Sequence, residues 1–194
     1  MKKDHVWYFG YGSNLSEQRF LCYILGGKPN FGNIKNSECT NNAPPSDNKP
    51  YKIPYKLYFG IPGENKKTKM WGLGGVAFIS PIKTENSETL GRIWRISEYQ
   101  CDEIKKQEGI SWYNKTIDLG NYKNISILTI TSCKEIKNIL PPSIGYLKTI
   151  ILGLQETHQI PALEIANYLI QCSGITGNFT KEKIIKIVND LYMQ

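Results

Sequence analysis

A glycine-rich corner near the start of the chain constrains its fold more than any other stretch. Residues 8–15 read Tyr-Phe-Gly-Tyr-Gly-Ser-Asn-Leu, and the residues before the first glycine are aromatic or β-branched, which favours a half-buried strand. Gly10 and Gly12 permit backbone angles that are closed to other residues, and they let a ligand approach the main chain. Ser13 and Asn14 are good helix N-caps, so the stretch predicts a strand, a tight loop and then a helix.

The loop of this corner has a chemistry of its own. Unpaired backbone N–H groups in such a turn form a small nest that fits a carboxylate or a phosphate. The corner lacks the third glycine of the dinucleotide fingerprint, and no G-K-[ST] of a P-loop follows it. Many strand-loop-helix corners carry glycine and serine for geometry alone. The spacing therefore leaves both an anion site and a purely structural corner open.

The charge of the chain bears on its partners. The 194 residues include 24 Lys and Arg against 17 Asp and Glu, which gives a net charge of +7, and the only arginines are Arg19, Arg92 and Arg95. The lysines are scattered and do not form a short basic cluster, so we expect no nucleic-acid partner. A solvated lysine surface is the default interpretation, and attraction of anionic substrates stays open.

The cysteines and histidines form no pattern that is typical of a ligand set. The five cysteines are odd in number and include no C-x-x-C, and the two histidines, His5 and His158, belong to no cluster. We therefore expect no metal and no cofactor. Ser13 lies outside a G-x-S-x-G elbow, which argues against a serine hydrolase. Reduced cysteines favour a cytoplasmic location, and no apolar run reaches membrane-spanning length, so we expect no membrane partner.

The order of the predicted elements favours an α+β fold. The length favours a single domain that spans residues 1–194. A helix is predicted after the glycine corner, and further strands are predicted at residues 55–59, 71–79, 90–96, 113–118 and 125–131. A short helix is expected at residues 98–107, and three amphipathic helices close the chain. This segregation is typical of α+β proteins, and short strands with glycine corners predict a small mixed β-barrel with flanking helices.

Residues 28–52 form a polar stretch that is rich in proline and asparagine. Long stretches of this composition are usually functional or disordered. We therefore predict a flexible loop or insertion here.

Glu108 breaks a local rule and is the first candidate for chemistry. It follows two lysines and Gln107 at the predicted end of the short helix, and Gly109 comes next. A carboxylate is disfavoured at a helix C-terminus, where the helix dipole is negative. If the carboxyl is also buried, its pKa rises toward the range that suits a general base. The structural alternative is an exposed residue whose cost is offset by Lys105.

The chain resembles the γ-glutamylcyclotransferase family, whose members begin with a Y-G-S-N-L loop near the N-terminus. Three further family elements occur here in the family order. They are a tryptophan followed by G-G-x-A, a G-x-x-W strand leading to an E-G pair and a tyrosine, and P-P-S with a tyrosine three residues on. In this sequence they stand at Trp71 to Ala77, at Gly91 to Trp94 with Glu108-Gly109 and Tyr113, and at Pro141 to Ser143 with Tyr146.

The resemblance implies a function and a set of site residues. By this resemblance the fold is γ-glutamylcyclotransferase-like, and the reaction cyclises a γ-glutamyl amide to 5-oxoproline with release of the amine. Glu108 would be the acid/base. The substrate's glutamyl group would be held by Tyr146 and by the residues of the corner, which are Gly10, Tyr11, Gly12, Ser13, Asn14 and Leu15. The resemblance implies a small-molecule γ-glutamyl substrate and no metal or cofactor.

Two other interpretations stay open at this point. The first is a non-catalytic protein that binds a small γ-glutamyl-like metabolite on the same scaffold, because folds host many functions. The second is a lysine-rich nucleic-acid binder, which predicts a one-faced basic patch and steeply salt-dependent binding. The sequence leaves the leaving amine open, and it is compatible with a monomer or a homodimer. We expect residues 28–52 to help shape the pocket for the leaving amine.

Overall fold

The first strand lies at the centre of the molecule because both of its faces are apolar. In the computed structural model, which describes residues 5–64 and 66–193, β1 (His5–Gly10) is buried along nearly its whole length. Trp7 and Phe9 belong to one hydrophobic cluster, and Val6 and Tyr8 belong to another on the opposite face. A strand that is covered on both faces reads as a continuous apolar run, which explains the start of the sequence.

The other described elements follow in chain order. The strands are β2 (Gly26–Gly27), β3 (Asn36–Glu38), β4 (Asp47–Ile53), β5 (Leu57–Gly60), β6 (Lys67–Thr68), β7 (Gly72–Leu73), β8 (Val76–Ile79), β9 (Thr89–Ser97), β10 (Lys115–Tyr122) and β11 (Ile125–Thr131). The helices are α1 (Glu17–Leu25), α2 (Glu98–Glu108), α3 (Ile144–His158), α4 (Ala162–Leu169) and α5 (Lys181–Tyr192), and a 3₁₀ turn covers Ser13–Leu15.

A five-stranded mixed sheet in the order β10-β11-β1-β9-β4 organises these elements. β1 pairs in parallel with β11 and antiparallel with β9. The strands β5 and β8 form a separate antiparallel pair, and the hydroxyl of Thr131 at the end of β11 donates to the carbonyl of Ile79 in β8 at 2.7 Å. The mixed sheet with its helices confirms the α+β class. Closure into a small barrel stays a prediction.

The helix boundaries have clear local causes. Ser97 and Gln100 form a reciprocal capping box at the start of α2, and the hydroxyls of Ser143 and Thr180 accept backbone N–H groups at the starts of α3 and α5. α1 ends at Gly26, which has a positive φ of 72°. These side chains cap neighbours in the chain, and α2 lies where the sequence predicts the short helix. Ser13 and Asn14 do not cap α1 as predicted, because they form the 3₁₀ turn, and Ser16 precedes α1 without a side-chain cap.

Residues 28–52 are not one continuous loop, which corrects the sequence interpretation. β3 lies within this stretch, and β4 pairs with β9 at the edge of the five-stranded sheet. The polar composition misled the prediction, because an edge strand has an exposed side and tolerates such residues. Pro50 also fits, since proline is accepted in an edge strand. Whether the remaining part of the stretch is flexible stays a prediction.

Among the described residues, no helix combines the length and the apolarity that crossing a membrane requires.

Candidate active site

Glu108 is the last residue of α2, and it points its carboxylate toward the glycine corner. The amide of Asn14 donates to its Oε1 at 3.2 Å, and the Tyr23 hydroxyl donates to the same oxygen at 2.5 Å. Burial raises the pKa of the Glu108 carboxyl above its ordinary value. The Arg19 charge and the hydrogen bonds from Tyr23 and Asn14 partly oppose that rise. The group is thus a half-buried carboxylate with two donors and a raised proton affinity.

Asn14 joins the corner to this carboxylate. Its side-chain nitrogen donates to Glu108 and to the hydroxyl of Tyr8, the latter at 3.0 Å. Its side-chain oxygen accepts the N–H of Gly12 at 3.2 Å, and its backbone carbonyl accepts the indole N–H of Trp94 at 2.9 Å. Four hydrogen bonds therefore fix one side chain and its loop. The corner is held rigidly beside Glu108 by β1, by β9 and by its own backbone.

The backbone amides of the corner are less free than the sequence suggests. The N–H of Gly12 is engaged by Asn14, and the backbone of Ser13 lies within hydrogen-bonding reach of the Tyr146 hydroxyl. A Cβ at Gly12 would lie 2.9 Å from that hydroxyl and 3.2 Å from the Cβ of Ala77, so any larger residue would displace the Tyr146 hydroxyl from the corner. The expected open nest is therefore a closely packed turn with a tyrosine hydroxyl against it.

Tyr146 reaches the corner from the first turn of α3. Its hydroxyl accepts the N–H of Ala77 at 3.1 Å, and its ring meets Trp71 edge to face with centroids 4.9 Å apart. Burial raises the pKa of Tyr146 to about 12, although hydrogen bonds from the Ala77 and Ser13 backbone oppose the rise. The phenol therefore stays protonated at neutral pH and has one O–H to donate.

The separate sequence elements meet around this site. Gly91 is required because a Cβ there would lie 2.2 Å from the ring of Phe9. A Cβ at Gly74 would lie 2.5 Å from the carbonyl of Pro141, and the N–H of Gly75 donates to the same carbonyl at 2.9 Å. The Trp71 to Ala77 segment thus lies directly against the Pro141 to Ser143 segment. That contact places Tyr146 opposite the corner.

Tyr113 comes to the site from the loop after α2. Its hydroxyl donates to the carbonyl of Ala77 at 2.9 Å, so both backbone polar groups of Ala77 are bound by tyrosine hydroxyls. Its ring stacks on Phe78 with centroids 4.8 Å apart. Tyr113 and Tyr146 therefore fix β8 against the loop that follows Glu108.

A cleft of about 610 Å³ opens onto these residues, and a recess of about 20 Å³ lies at its inner end. The cleft and the recess share four lining residues, which are Ser13, Glu108, Tyr113 and Tyr146. The recess is closed by the rest of the corner and its neighbours, namely Tyr8, Tyr11, Gly12, Asn14, Ala77 and Ile130. Because Glu108 lines both the small recess and the wide cleft, its carboxylate can act on one end of a ligand whose other end extends into the cleft.

Two of the predicted site residues do not line the recess or the cleft. Leu15 is buried in the hydrophobic core. Gly10 ends β1, and a Cβ there would lie 2.8 Å from the carbonyl of Asn14. Both residues shape the corner from behind. Tyr11, which does line the recess, donates its hydroxyl to the carbonyl of Ile130 at 2.8 Å.

Sequence reasoning missed two residues that lie beside Glu108. Arg19 and Tyr23 stand one turn apart on α1, and both are buried. Arg19 and Trp71 also line the cleft, together with four residues of the stretch thought to be a loop, Ile34, Lys35, Asn36 and Ser37. The feature of the sequence that could have pointed to Arg19 is that it is an arginine. It is one of three arginines in a lysine-rich chain, and it lies on the face of the helix that carries Phe20 and Tyr23.

No group of three or more His, Cys, Asp and Glu that could hold a metal ion occurs within residues 5–64 and 66–193.

The fold that carries this site is that of the γ-glutamyl cyclotransferases. A solved γ-glutamyl cyclotransferase is 21% identical to the chain, with a TM-score of 0.60 over 96% of this chain and 99% of that one. The crystal structure of an uncharacterized human protein is also 21% identical, with a TM-score of 0.61 over the same shares of the two chains. At these identities the likeness establishes the fold.

A third solved structure and one curated protein are also similar to the chain. YkqA from Bacillus subtilis is 19% identical, with a TM-score of 0.50 over 96% of this chain and 55% of YkqA. Histone deacetylase 5 from Arabidopsis thaliana is 28% identical over 207 residues, which cover 87% of this chain and 31% of the deacetylase. The chain thus spans about a third of the length of the curated relative it matches. No family model matches it.

Proposed function

We propose that the chain is a γ-glutamylcyclotransferase, which converts a γ-glutamyl amide to 5-oxoproline and releases the amine. The observation that carries the proposal is the raised pKa of a carboxylate, Glu108, at the inner end of a 610 Å³ cleft and beside the glycine corner. A carboxylate whose pKa is raised toward neutral can accept a proton and return it in the same turnover. The fold of the chain supports the reaction class.

Two protons leave the substrate's α-nitrogen during the reaction, and Glu108 carries one of them to the leaving amine. The α-ammonium first loses a proton, which Glu108 accepts. The free α-amine then attacks its own γ-carbonyl, so a new C–N bond closes the five-membered ring and the amide C–N bond to the leaving amine breaks. Glu108 gives its proton to the leaving nitrogen and returns to the carboxylate, and the ring nitrogen releases its second proton to water or to the departing amine. The nucleophile and the carbonyl belong to the same molecule, so the main task of the protein is to hold the conformer that closes the ring. Orientation of this kind lowers the activation barrier by about several kcal/mol.

The remaining groups of the site can hold the glutamyl end. The Tyr146 hydroxyl keeps an O–H that is available to an oxygen in the recess. Asn14 spends both of its amide hydrogens on Glu108 and Tyr8, so it holds these two groups in place, and the Tyr8 hydroxyl can donate to the α-carboxylate. The backbone of Ser13 contacts the Tyr146 hydroxyl, and that hydroxyl can stabilise negative charge on the carbonyl oxygen. The leaving amine would then extend into the wide cleft.

The test is Glu108→Gln, which keeps the shape of the side chain and removes the exchangeable proton. We expect 5-oxoproline formation from γ-glutamyl dipeptides and amines to fall at least about a hundredfold, the usual scale for an acid–base group. The folded state should persist, as measured by thermal unfolding. The matched control is Glu103→Gln on the same helix, because Glu103 bonds to Thr40 away from the recess. Full 5-oxoproline formation by Glu108→Gln would remove this residue from the mechanism.

The alternative is a non-catalytic protein that binds a γ-glutamyl-like metabolite. The same assay separates the two, because such a protein would bind γ-glutamyl compounds and release no 5-oxoproline. Enzymatic turnover is favoured because a binding pocket has no need of a carboxylate with a raised pKa. The matched stretch is under a third of the Arabidopsis deacetylase, so that protein's name carries no activity over to this chain. A cytoplasmic location and a monomeric or homodimeric state stay predictions.

A further inference from the structure

Arg19 is a buried cation whose charge is not balanced by a carboxylate in direct contact. Its side chain is 4% exposed, and none of the ion pairs found in the described part of the chain includes it. Its two terminal nitrogens donate to the Asn36 side chain at 2.7 Å and to the Tyr23 hydroxyl at 2.5 Å, while its Nε has no partner. Burying a guanidinium in this way is costly unless another group compensates for it.

The compensating group is reached through a single hydroxyl. Tyr23 accepts a hydrogen bond from Arg19, and it donates its own proton to Glu108 at 2.5 Å. The guanidinium also lies 3.8 Å from the centroid of the Tyr23 ring. Because the hydroxyl oxygen is occupied by a cation, its O–H is polarised and becomes a better donor to the carboxylate. The hydrogen-bonded series Arg19–Tyr23–Glu108 therefore couples a fixed positive charge to the acid/base candidate.

The other buried arginine shows what an ordinary arrangement looks like in this molecule. Arg92 is 5% exposed, and it forms ion pairs with Glu17 at 3.0 Å and with Glu156 at 3.4 Å. Its guanidinium lies 3.9 Å from the centroid of the Trp94 ring. Arg92 ties α1, α3 and β9 together by direct salt bridges. Arg19 has no such link, and its shortest hydrogen bond leads to the candidate active site.

We propose that Arg19 is a positioning residue that keeps Glu108 in its carboxylate form through the Tyr23 hydroxyl. The inference rests on the proposed acid/base role of Glu108, because only an ionised carboxylate can accept the proton of the α-ammonium. Without the arginine, the buried carboxyl would retain its proton at a higher pH and fewer molecules would be competent. Tyr23 stays protonated because burial raises its pKa well above the ordinary value, although the Arg19 charge opposes that rise.

The other groups that face Glu108 do not replace this role. They are phenols and an amide from β1, the corner, the loop after α2 and α3, namely Tyr8, Tyr11, Asn14, Tyr113 and Tyr146. The pKa values of the four tyrosines are all raised by burial, so these groups are neutral across the working pH range. Arg19 is the cation that acts most strongly on the Glu108 carboxyl.

Asn36 holds the arginine in place. Its side-chain oxygen accepts from Arg19, and its side-chain nitrogen donates to the Gln107 side chain at 3.0 Å. Gln107 in turn donates to the carbonyl of Tyr23 at 3.0 Å. The residues that flank Glu108 and Tyr23 are thus joined in one network with Arg19. This network links β3 both to α1 and to the end of α2.

The experiment is a direct titration of Glu108, which does not depend on turnover. Protein labelled with ¹³C-glutamate is titrated by NMR, and the Glu108 carboxyl signal is identified by its loss in Glu108→Gln. In Arg19→Gln we expect the midpoint to rise by about one pH unit or more, as when a nearby arginine is removed from a carboxylate. Tyr23→Phe should raise it less, and Arg19→Lys should restore part of the wild-type value.

The activity profile provides the second readout. The acid limb of kcat/KM for 5-oxoproline formation should move to higher pH in Arg19→Gln by the same interval, with the rate at high pH recovering toward wild type. Arg92→Gln is the matched control, since it removes a cation of similar burial and should leave the Glu108 midpoint unchanged. If Arg19→Gln does not fold, Tyr23→Phe and Arg19→Lys still report the coupling.

Three results would overturn the inference. The first is an unchanged Glu108 midpoint in every folded Arg19 and Tyr23 variant. The second is an equal shift in the Arg92→Gln control. The third is a rise in KM without any change in the pH profile, which would assign Arg19 to substrate binding. A shifted Glu108 midpoint in a protein that forms no 5-oxoproline would support the coupling while overturning the proposed function.

Discussion

At the residue scale, Glu108 destabilises the folded state, and this destabilisation increases as the pH rises. Its carboxyl has a pKa above the ordinary 4.5 in the folded chain, chiefly because of burial. Below pH 4.5 the group is protonated in both the folded and unfolded states. As the pH rises, the unfolded chain ionises first, so the folded state loses stability until the folded pKa is passed. An acid/base residue of this kind is a typical stability–activity compromise.

The expected result is that Glu108→Gln is more stable than wild type at pH 7. The glutamine cannot ionise, so the free energy of unfolding should exceed that of wild type, and the difference should grow as the pH rises from the unfolded-state pKa to the folded-state pKa of Glu108. Urea unfolding followed at pH 4 and pH 7 measures this. The gain should shrink toward zero at pH 4, where the wild-type carboxyl is protonated in both states.

A matched variant separates the effect from a general response to lost charge. Glu103→Gln removes a carboxylate of the same helix whose pKa is lowered in the folded chain, chiefly by its hydrogen bond from Thr40. Its stability effect should therefore be neutral or destabilising at pH 7. A Glu108→Gln protein that is less stable than wild type at pH 7 would contradict the burial argument.

At the element scale, the sequence specified the helices better than the edge of the sheet. Ser97, Ser143 and Thr180 are side chains whose capping role depends on neighbours in the chain, and all three cap helices in the structure. The pairing of β4 with β9 joins residues about forty positions apart, for example Tyr51 with Gly91. No local pattern reports such a partner, and β4 carries the polar side chains that an exposed edge tolerates.

The residues of the candidate site show the same difference between what local sequence indicates and what only the tertiary structure brings together. Glu108 could be found in the sequence because it breaks a rule of its own helix, and Tyr146 because it stands within a motif. Arg19 and Tyr23 could not, because an arginine and a tyrosine on an amphipathic helix are compatible with solvent exposure. Only the contact of α1 with the end of α2 brings them to Glu108.

Hydrogen–deuterium exchange should show that residues 28–52 are not uniformly mobile. Backbone amides of β4 that pair with β9 should exchange at least about tenfold more slowly than those of Asn41 and Asn42, because paired amides exchange only when the strand opens. The exposed residues Gly63 and Glu64 provide a fast-exchanging reference within the same protein. Equally fast exchange across the whole of residues 28–52 would restore the interpretation of a flexible loop.

At the scale of the whole molecule, the exposed end of the cleft carries an excess of positive charge. The net charge of the chain is +7, and three exposed lysines, Lys35, Lys67 and Lys69, line the mouth of the cleft, whereas its acidic lining residue, Glu108, lies at the inner end near the buried Arg19. In the proposed reaction, the leaving group of a γ-glutamyl substrate would lie at this mouth. Clefts lined by charge of one sign raise the local concentration of ligands of the opposite sign.

The expected consequence is a preference for leaving groups that carry a carboxylate. In paired assays, γ-glutamyl-alanine should have a kcat/KM about threefold to tenfold above that of its carboxamide, since one exposed charge pair contributes about 1 kcal/mol. The ratio should fall as salt rises from about 0.05 M to 0.5 M, because exposed charges are screened. The release of 5-oxoproline at matched low substrate concentrations measures it.

Two charge reversals decide whether this preference arises from the lysines of the cleft or from the electrostatic field of the whole molecule. Lys67→Glu and Lys186→Glu change the net charge equally, but Lys186 lies on α5, where it pairs with Asp190 far from the cleft lining. If the cleft sets the preference, Lys67→Glu should bring the acid-to-amide ratio close to one and Lys186→Glu should leave it unchanged. Equal losses in the two variants would assign the preference to the field of the whole molecule, and a ratio of one in the wild type would show that the lysines at the mouth are ordinary solvated surface.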